Sequence, residues 1–141
     1  MRVTAIALVL LSLSCTVSTS RPAFAPADDS EAPAGLDLSV VSVARDGTIE
    51  LELRNYSIEP FVFYGSPAQP RLEIEFESEA GRLSRHKLIP WKRGQKTHEL
   101  APGERLTFKT KMMPGGGGRI RIGLRSHDFG FIVWTPPIAF P

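Results

Sequence analysis

The histidines are the first residues of this chain that could do chemistry, and none of the three has the company that chemistry needs. His86 lies between Arg85 and Lys87, His98 precedes Glu99, and His127 precedes Asp128. Neighbours on a strand point to opposite faces, so His98 and Glu99 do not pair on one side. His127 and Asp128 are better placed in a turn, but an aspartate there usually caps the turn through its own backbone. With Met112 and Met113 the imidazoles could suit Cu(I), whose ligands are thioethers and imidazoles. No H-x-x-M, H-x-H or C-x-x-C spacing supports that reading. No metal site and no cofactor is expected.

Nucleophilic and carboxylate chemistry fare no better. Ser57, Ser66, Ser84 and Ser126 stand in no nucleophile-elbow pattern. Glu73, Glu75 and Glu77 point one way along a strand and could mimic a paired-carboxylate site. A solvated outer face is the preferred reading, because strand alternation places polar residues there. Residues 115–118 are four glycines, but Arg119-Ile120 follows where a phosphate loop needs Lys and Ser or Thr. No catalysis is expected.

One stretch reads as binding. Pro90-Trp91-Lys92-Arg93-Gly94-Gln95-Lys96 puts a large aromatic among basic residues in a loop. Trp and Arg are enriched at binding hot spots, and loops carry function. Trp91, Lys92, Arg93 and Lys96 are the candidate binding residues. The alternative is that Trp91 folds back to cap the core.

The elements that must position these residues are strands. Residues 100–108 organise them. Pro102-Gly103 marks a type II turn, with Pro fixing φ at its first central position and Gly supplying positive φ at its second. Leu106 and Phe108 then alternate with Arg105, Thr107 and Lys109, as in a strand with one buried face. Type II turns splay a two-residue hairpin, so a corner between sheets is expected. Ile49, Leu51 and Leu53, then Leu72, Ile74 and Phe76, then Ile120, Ile122 and Leu124 repeat the alternation. Asp46-Gly47 is a hairpin signal, and Pro136-Pro137 is expected to end the last strand. No helical period persists for three turns. Eight or nine short strands predict an all-β, antiparallel immunoglobulin-like sandwich over residues 36–141, with a Greek-key barrel as the alternative.

Asn55-x-Ser57-x-x-Pro60 at a strand end, a central hairpin turning at Gly81, and Leu100-x-Pro102-Gly103-Glu104 before an alternating strand resemble the bacterial intracellular proteinase inhibitor (BsuPI) family. The resemblance spans residues 48–111 and implies a small immunoglobulin-like domain. It also implies proteinase inhibition through an exposed loop. The chain departs from the family in two respects. It opens with an export-type leader, and Arg82-Leu83-Ser84-Arg85 stands where the family carries aromatic residues.

Met1-Arg2 followed by the apolar residues 3–13 reads as a signal peptide, too short to span a membrane comfortably. Cleavage after Ala27 would leave residues 28–35 as a flexible linker. Alternatively Cys15, the chain's one cysteine, would be lipidated after removal of residues 1–14. The expected location is extracytoplasmic, in the periplasm or on the outer surface of a bacterial envelope, tethered in the second case. No disulfide can form within the chain, so a core must hold the domain together.

Charge is split along the chain. Residues 28–81 hold 12 acidic and 3 basic side chains, and residues 82–125 hold 12 basic and 2 acidic. The split means either a basic face for an anionic partner or acidic and basic strands pairing across a sheet, and pairing is preferred. Nucleic acid is not expected as a partner. The expected function is an exported, non-catalytic module that binds a protein or a glycan. A proteinase-inhibitor-like domain and a small metal-handling protein are the alternatives.

Overall fold

The computed structural model describes residues 32–87, 96–112 and 118–139. Residues 1–31, Cys15 among them, and Trp91, Lys92 and Arg93 lie outside them. Among the described residues there are ten strands: β1 (Leu36–Val43), β2 (Thr48–Asn55), β3 (Phe61–Tyr64), β4 (Leu72–Glu77), β5 (Leu83–Lys87), β6 (Thr97–Leu100), β7 (Arg105–Lys111), β8 (Arg119–Arg125), β9 (Ile132–Trp134) and β10 (Ile138–Ala139).

All pairings are antiparallel. One sheet runs β1-β2-β7, and the other runs β10-β8-β4-β5 with β9 also on β8. A two-stranded ribbon of β3 and β6 is joined to the end of β8 by a bridge between Phe63 and Ser126. The sheets do not close into a barrel. They form a sandwich whose core is one cluster drawn from both faces. Leu38, Ile49, Leu51, Leu53 and Phe108 meet Leu72, Ile74, Ile120, Ile122 and Leu124, with Phe61, Phe63 and Leu100 between. Burial of such side chains is worth about 1.5–3 kcal/mol each.

The Pro-Gly corner stands where alternation and turn chemistry place it. Gly103 has φ 81°, and the Glu104 amide donates to the Ala101 carbonyl at 3.1 Å. It carries the chain from the ribbon strand β6 into β7 of the three-stranded sheet. Asp46-Gly47 closes the β1–β2 hairpin, with the Ala44 amide donating to the Thr48 carbonyl at 2.8 Å.

Three features depart from the expectation. The fold begins before β1, since Ala32 packs on the core and the Tyr56 amide donates to the Gly35 carbonyl at 2.6 Å. Residues 32–35 therefore pack with the sandwich. Pro136-Pro137 follows the end of β9 as expected, but β9 is not the last strand, because Ile138 and Ala139 pair with Ile120 and Arg119. A proline there removes a donor without blocking a short edge strand beyond it. The third departure concerns the glutamates.

Glu73, Glu75 and Glu77 do face outward, but they are not solvated. They are 2%, 5% and 3% exposed. β4 lies between β5 and β8, and Arg119, Arg121 and Arg125 of β8 reach over it. Arg125 grips Glu73 with Nε–Oε1 at 2.6 Å and Nη2–Oε2 at 3.1 Å. Glu75 accepts from Arg121 at 2.8 Å and from Arg85 at 3.5 Å, and Glu77 accepts from Arg119 Nε at 2.7 Å. Trp134 completes the roof. Its ring occupies the space a Cβ on Gly123 would need, 2.7 Å away, and the Arg121 guanidinium sits 4.5 Å from its centroid. The charge split is thus strand pairing of acidic β4 with its basic neighbours. Alternation sets the direction a side chain leaves a sheet. It does not say what lies over it.

Candidate functional site

Of the four candidate binding residues, Lys96 lies within the described part. It is exposed, and its carbonyl accepts from the Gly65 amide at 2.9 Å beside a shallow cavity that Ser66, Gln69 and His98 help to line. The histidines stay apart. His86 is within 3.3 Å of the Ser84 hydroxyl, His98 lies edge-on to Phe63 with centroids 5.4 Å apart, and His127 sits in the β8–β9 turn. Among the described residues no group of three or more His, Cys, Asp or Glu is arranged to hold a metal.

The better-built site is at one end of the sandwich, where two loops are held by their own side chains. The first links β2 to β3. Asn55, fully buried, accepts from the Ser57 amide at 3.0 Å and the Ser57 hydroxyl at 2.6 Å on Oδ1. Its Nδ2 donates to the Glu59 carbonyl at 2.8 Å and to the Leu100 carbonyl at 3.0 Å. One amide therefore spans both sides of Ile58. Gly35, at φ 95°, packs so closely that a Cβ there would lie 2.8 Å from the Ser57 nitrogen.

The second loop links β8 to β9. The Ser126 amide donates to the Phe131 carbonyl at 3.0 Å, and the His127 amide ties the loop to β3 through the Val62 carbonyl at 2.9 Å. Asp128 Oδ1 accepts from the Ser126 hydroxyl at 2.6 Å and from the Gly130 amide at 3.0 Å. The Ser126 hydroxyl first, and then the Gly130 amide, hold the Asp128 carboxyl below the ordinary carboxylate value. This is the capping role its position in a turn implies.

Between these loops and the entering segment lies an open cleft of about 330 Å³. Leu36, Phe61 and Phe131 give it apolar walls, and Glu59 and Asp128 supply its carboxylates. Two large apolar side chains stand at this end. Ile58 is 93% exposed. Phe129 is 43% exposed and has φ 61°, the one positive φ outside glycine among the described residues. Its ring lies 5.8 Å from that of Tyr64. The Arg71 guanidinium is 5.6 Å from the Tyr64 centroid and 6.0 Å from that of Phe129. Burial brings Arg71 down to about 10.

Reading the residues in order misses both. A left-handed position is assigned to glycine by default, and Gly130 is the next residue. Asn55-x-Ser57 is a visible turn signal, but nothing local says that it presents Ile58 to solvent.

No protein-family model and no curated protein matches the chain. Among solved structures, it is similar to a putative ApaA protein from Bordetella pertussis, with 14% identity and a TM-score of 0.40 over 74% of this chain and 86% of that one. It is also similar to a second structural-genomics target, with 10% identity and a TM-score of 0.41 over 74% of this chain and 81% of that one.

Proposed function

We propose that this chain is an exported, non-catalytic binding module of a bacterial cell envelope, and that it grips a protein partner through the loop end of its sandwich. Export follows from the leader-like composition of residues 1–27, and a lipid on Cys15 would tether the domain. The observation that carries the binding reading is Phe129. Holding a bulky residue in the left-handed region costs about 1–2 kcal/mol. Glycine or asparagine would avoid that cost, and the ring so held is half exposed to solvent. Ile58 adds a second apolar tip on a braced loop. An aliphatic side chain offers nothing to a sugar's hydroxyl groups, so the Ile58 tip favours protein over glycan.

Phe129→Asn tests the reading, because asparagine tolerates the left-handed conformation. Thermal unfolding of the full chain is expected to show unchanged stability or a gain of up to about 1 kcal/mol. Crosslinked capture of the envelope partner is expected to fall roughly tenfold, as for a hot-spot aromatic. A clear loss of stability with capture intact would make Phe129 a packing residue and overturn the proposal.

A second reading, proteinase inhibition through the Ser57–Glu59 segment, has one observation behind it. The Asn55 side chain bonds both the Ser57 amide and the Glu59 carbonyl, so the loop around Ile58 is pre-organised. Incubation with a panel of proteinases decides it. Inhibition that Ile58→Asp abolishes supports it, and simple cleavage of the loop rejects it.

A further inference from the structure

We infer that the cleft beside Ile58 receives one basic side chain of the partner, a lysine or an arginine, with its alkyl stem on Leu36, Phe61 and Phe131 and its charged head at Asp128 and Glu59. This rests on the protein-binding reading and gives the partner a chemistry.

The walls and the rim of the cleft differ in kind. A space of about 330 Å³ is at the low end for a ligand site and suits a single long side chain. Its apolar wall would suit any aliphatic group, but its ionisable residues are Glu59, Asp128 and His127. Among the described residues no lysine or arginine lines it, so the local field opposes an anion. Lysine and arginine carry apolar stems beneath charged heads and match such a surface along their whole length.

Asp128 is set up for the role. The hydrogen bonds from the Ser126 hydroxyl and the Gly130 amide both fall on Oδ1. The turn that fixes the carboxylate is tied to β3 through His127, and Glu59 is placed by a loop anchored on Asn55. The two carboxylates therefore belong to loops with little freedom, and a guest would meet them without reorganising either.

The test uses small probes of the side chain on the isotope-labelled full chain. n-Butylguanidinium, the neutral n-pentanol and the anionic pentanoate are titrated, and the backbone amides of Leu36, Ile58, Asp128 and Phe131 are followed by NMR. The guanidinium is expected to bind about fivefold more tightly than the alcohol, with pentanoate weakest. Asp128→Asn keeps an acceptor for Ser126 and Gly130, so the turn should stand, as the variant's own spectrum will show. That variant and Glu59→Gln are each expected to weaken the guanidinium about threefold while leaving n-pentanol unchanged. Equal binding of the three probes, or an unchanged guanidinium affinity in both variants, overturns the inference. If that happens while Phe129→Asn still weakens partner capture, the cleft assignment falls and the protein-binding reading stands.

Discussion

Asn55→Ala is expected to remove about 3 kcal/mol of stability, near 15 °C in the midpoint of thermal unfolding for a domain of this size. The loss comes from what the amide leaves behind. Its two donors satisfy the carbonyls of Glu59 and Leu100, and its oxygen holds the Ser57 amide and hydroxyl. Leu100 is buried, and truncation would leave its carbonyl short of a partner in a place where water does not readily replace it. The backbone of Asn55 adds to the same knot. Its amide donates to the Glu104 carbonyl at 3.0 Å, and its carbonyl accepts from the Gly103 amide at 2.7 Å. Asn55→Asp should be at least as damaging, because it sets a carboxylate against two carbonyls. Ser57→Ala should cost only about 1 kcal/mol, since Asn55 keeps its contacts to the carbonyls. Urea and thermal unfolding of the three variants give the order. A loss in Asn55→Ala no larger than in Ser57→Ala would mean that the knot closes around some other group.

That knot also marks how far the residues alone could be read. Asn55-x-Ser57-x-x-Pro60 and Leu100-x-Pro102-Gly103-Glu104 are both visible as turn chemistry, and the strands between them follow from alternation. The core is legible for the same reason, with Ile49, Leu51 and Leu53 fully buried as their spacing requires. What spacing cannot convey is that Asn55 reaches Leu100, a contact 45 residues distant that exists only once the corner has folded back. Ile58 and Phe129 escape for a related reason. Their exposure is set by loops locked from elsewhere, and a left-handed phenylalanine contradicts local preference. Conflicts of this kind between local rule and global fold gather at working surfaces. The loop of Trp91, Lys92 and Arg93 stands out by composition, whereas the braced end of the sandwich stands out by conformation.

Glu73→Ala is expected to be as costly as any substitution on the outer face, about 3–5 kcal/mol. Solvent-facing strand positions usually tolerate such changes within about 0.5 kcal/mol, so the value separates a roofed ion pair from a solvated one. Glu73 is almost wholly buried, and Arg125 meets it through two bonds, one to each carboxylate oxygen. Arg71 precedes it on the same strand face and feels its charge. Removing the carboxylate takes away the acceptor of both Arg125 bonds and the opposing charge that Arg71 feels, while the repulsion between the two guanidinium groups stays. The double variant Glu73→Met, Arg125→Met should recover most of the loss, because well-packed apolar pairs replace buried ion pairs at little cost. The pair of Asp46 and Lys111, at 3.6 Å and exposed on both sides, is the control. Lys111→Ala should cost under about 0.5 kcal/mol and lose even that in molar salt, whereas the Glu73 effect should persist. A Glu73→Ala loss that vanishes in salt would show that water reaches the carboxylate row after all.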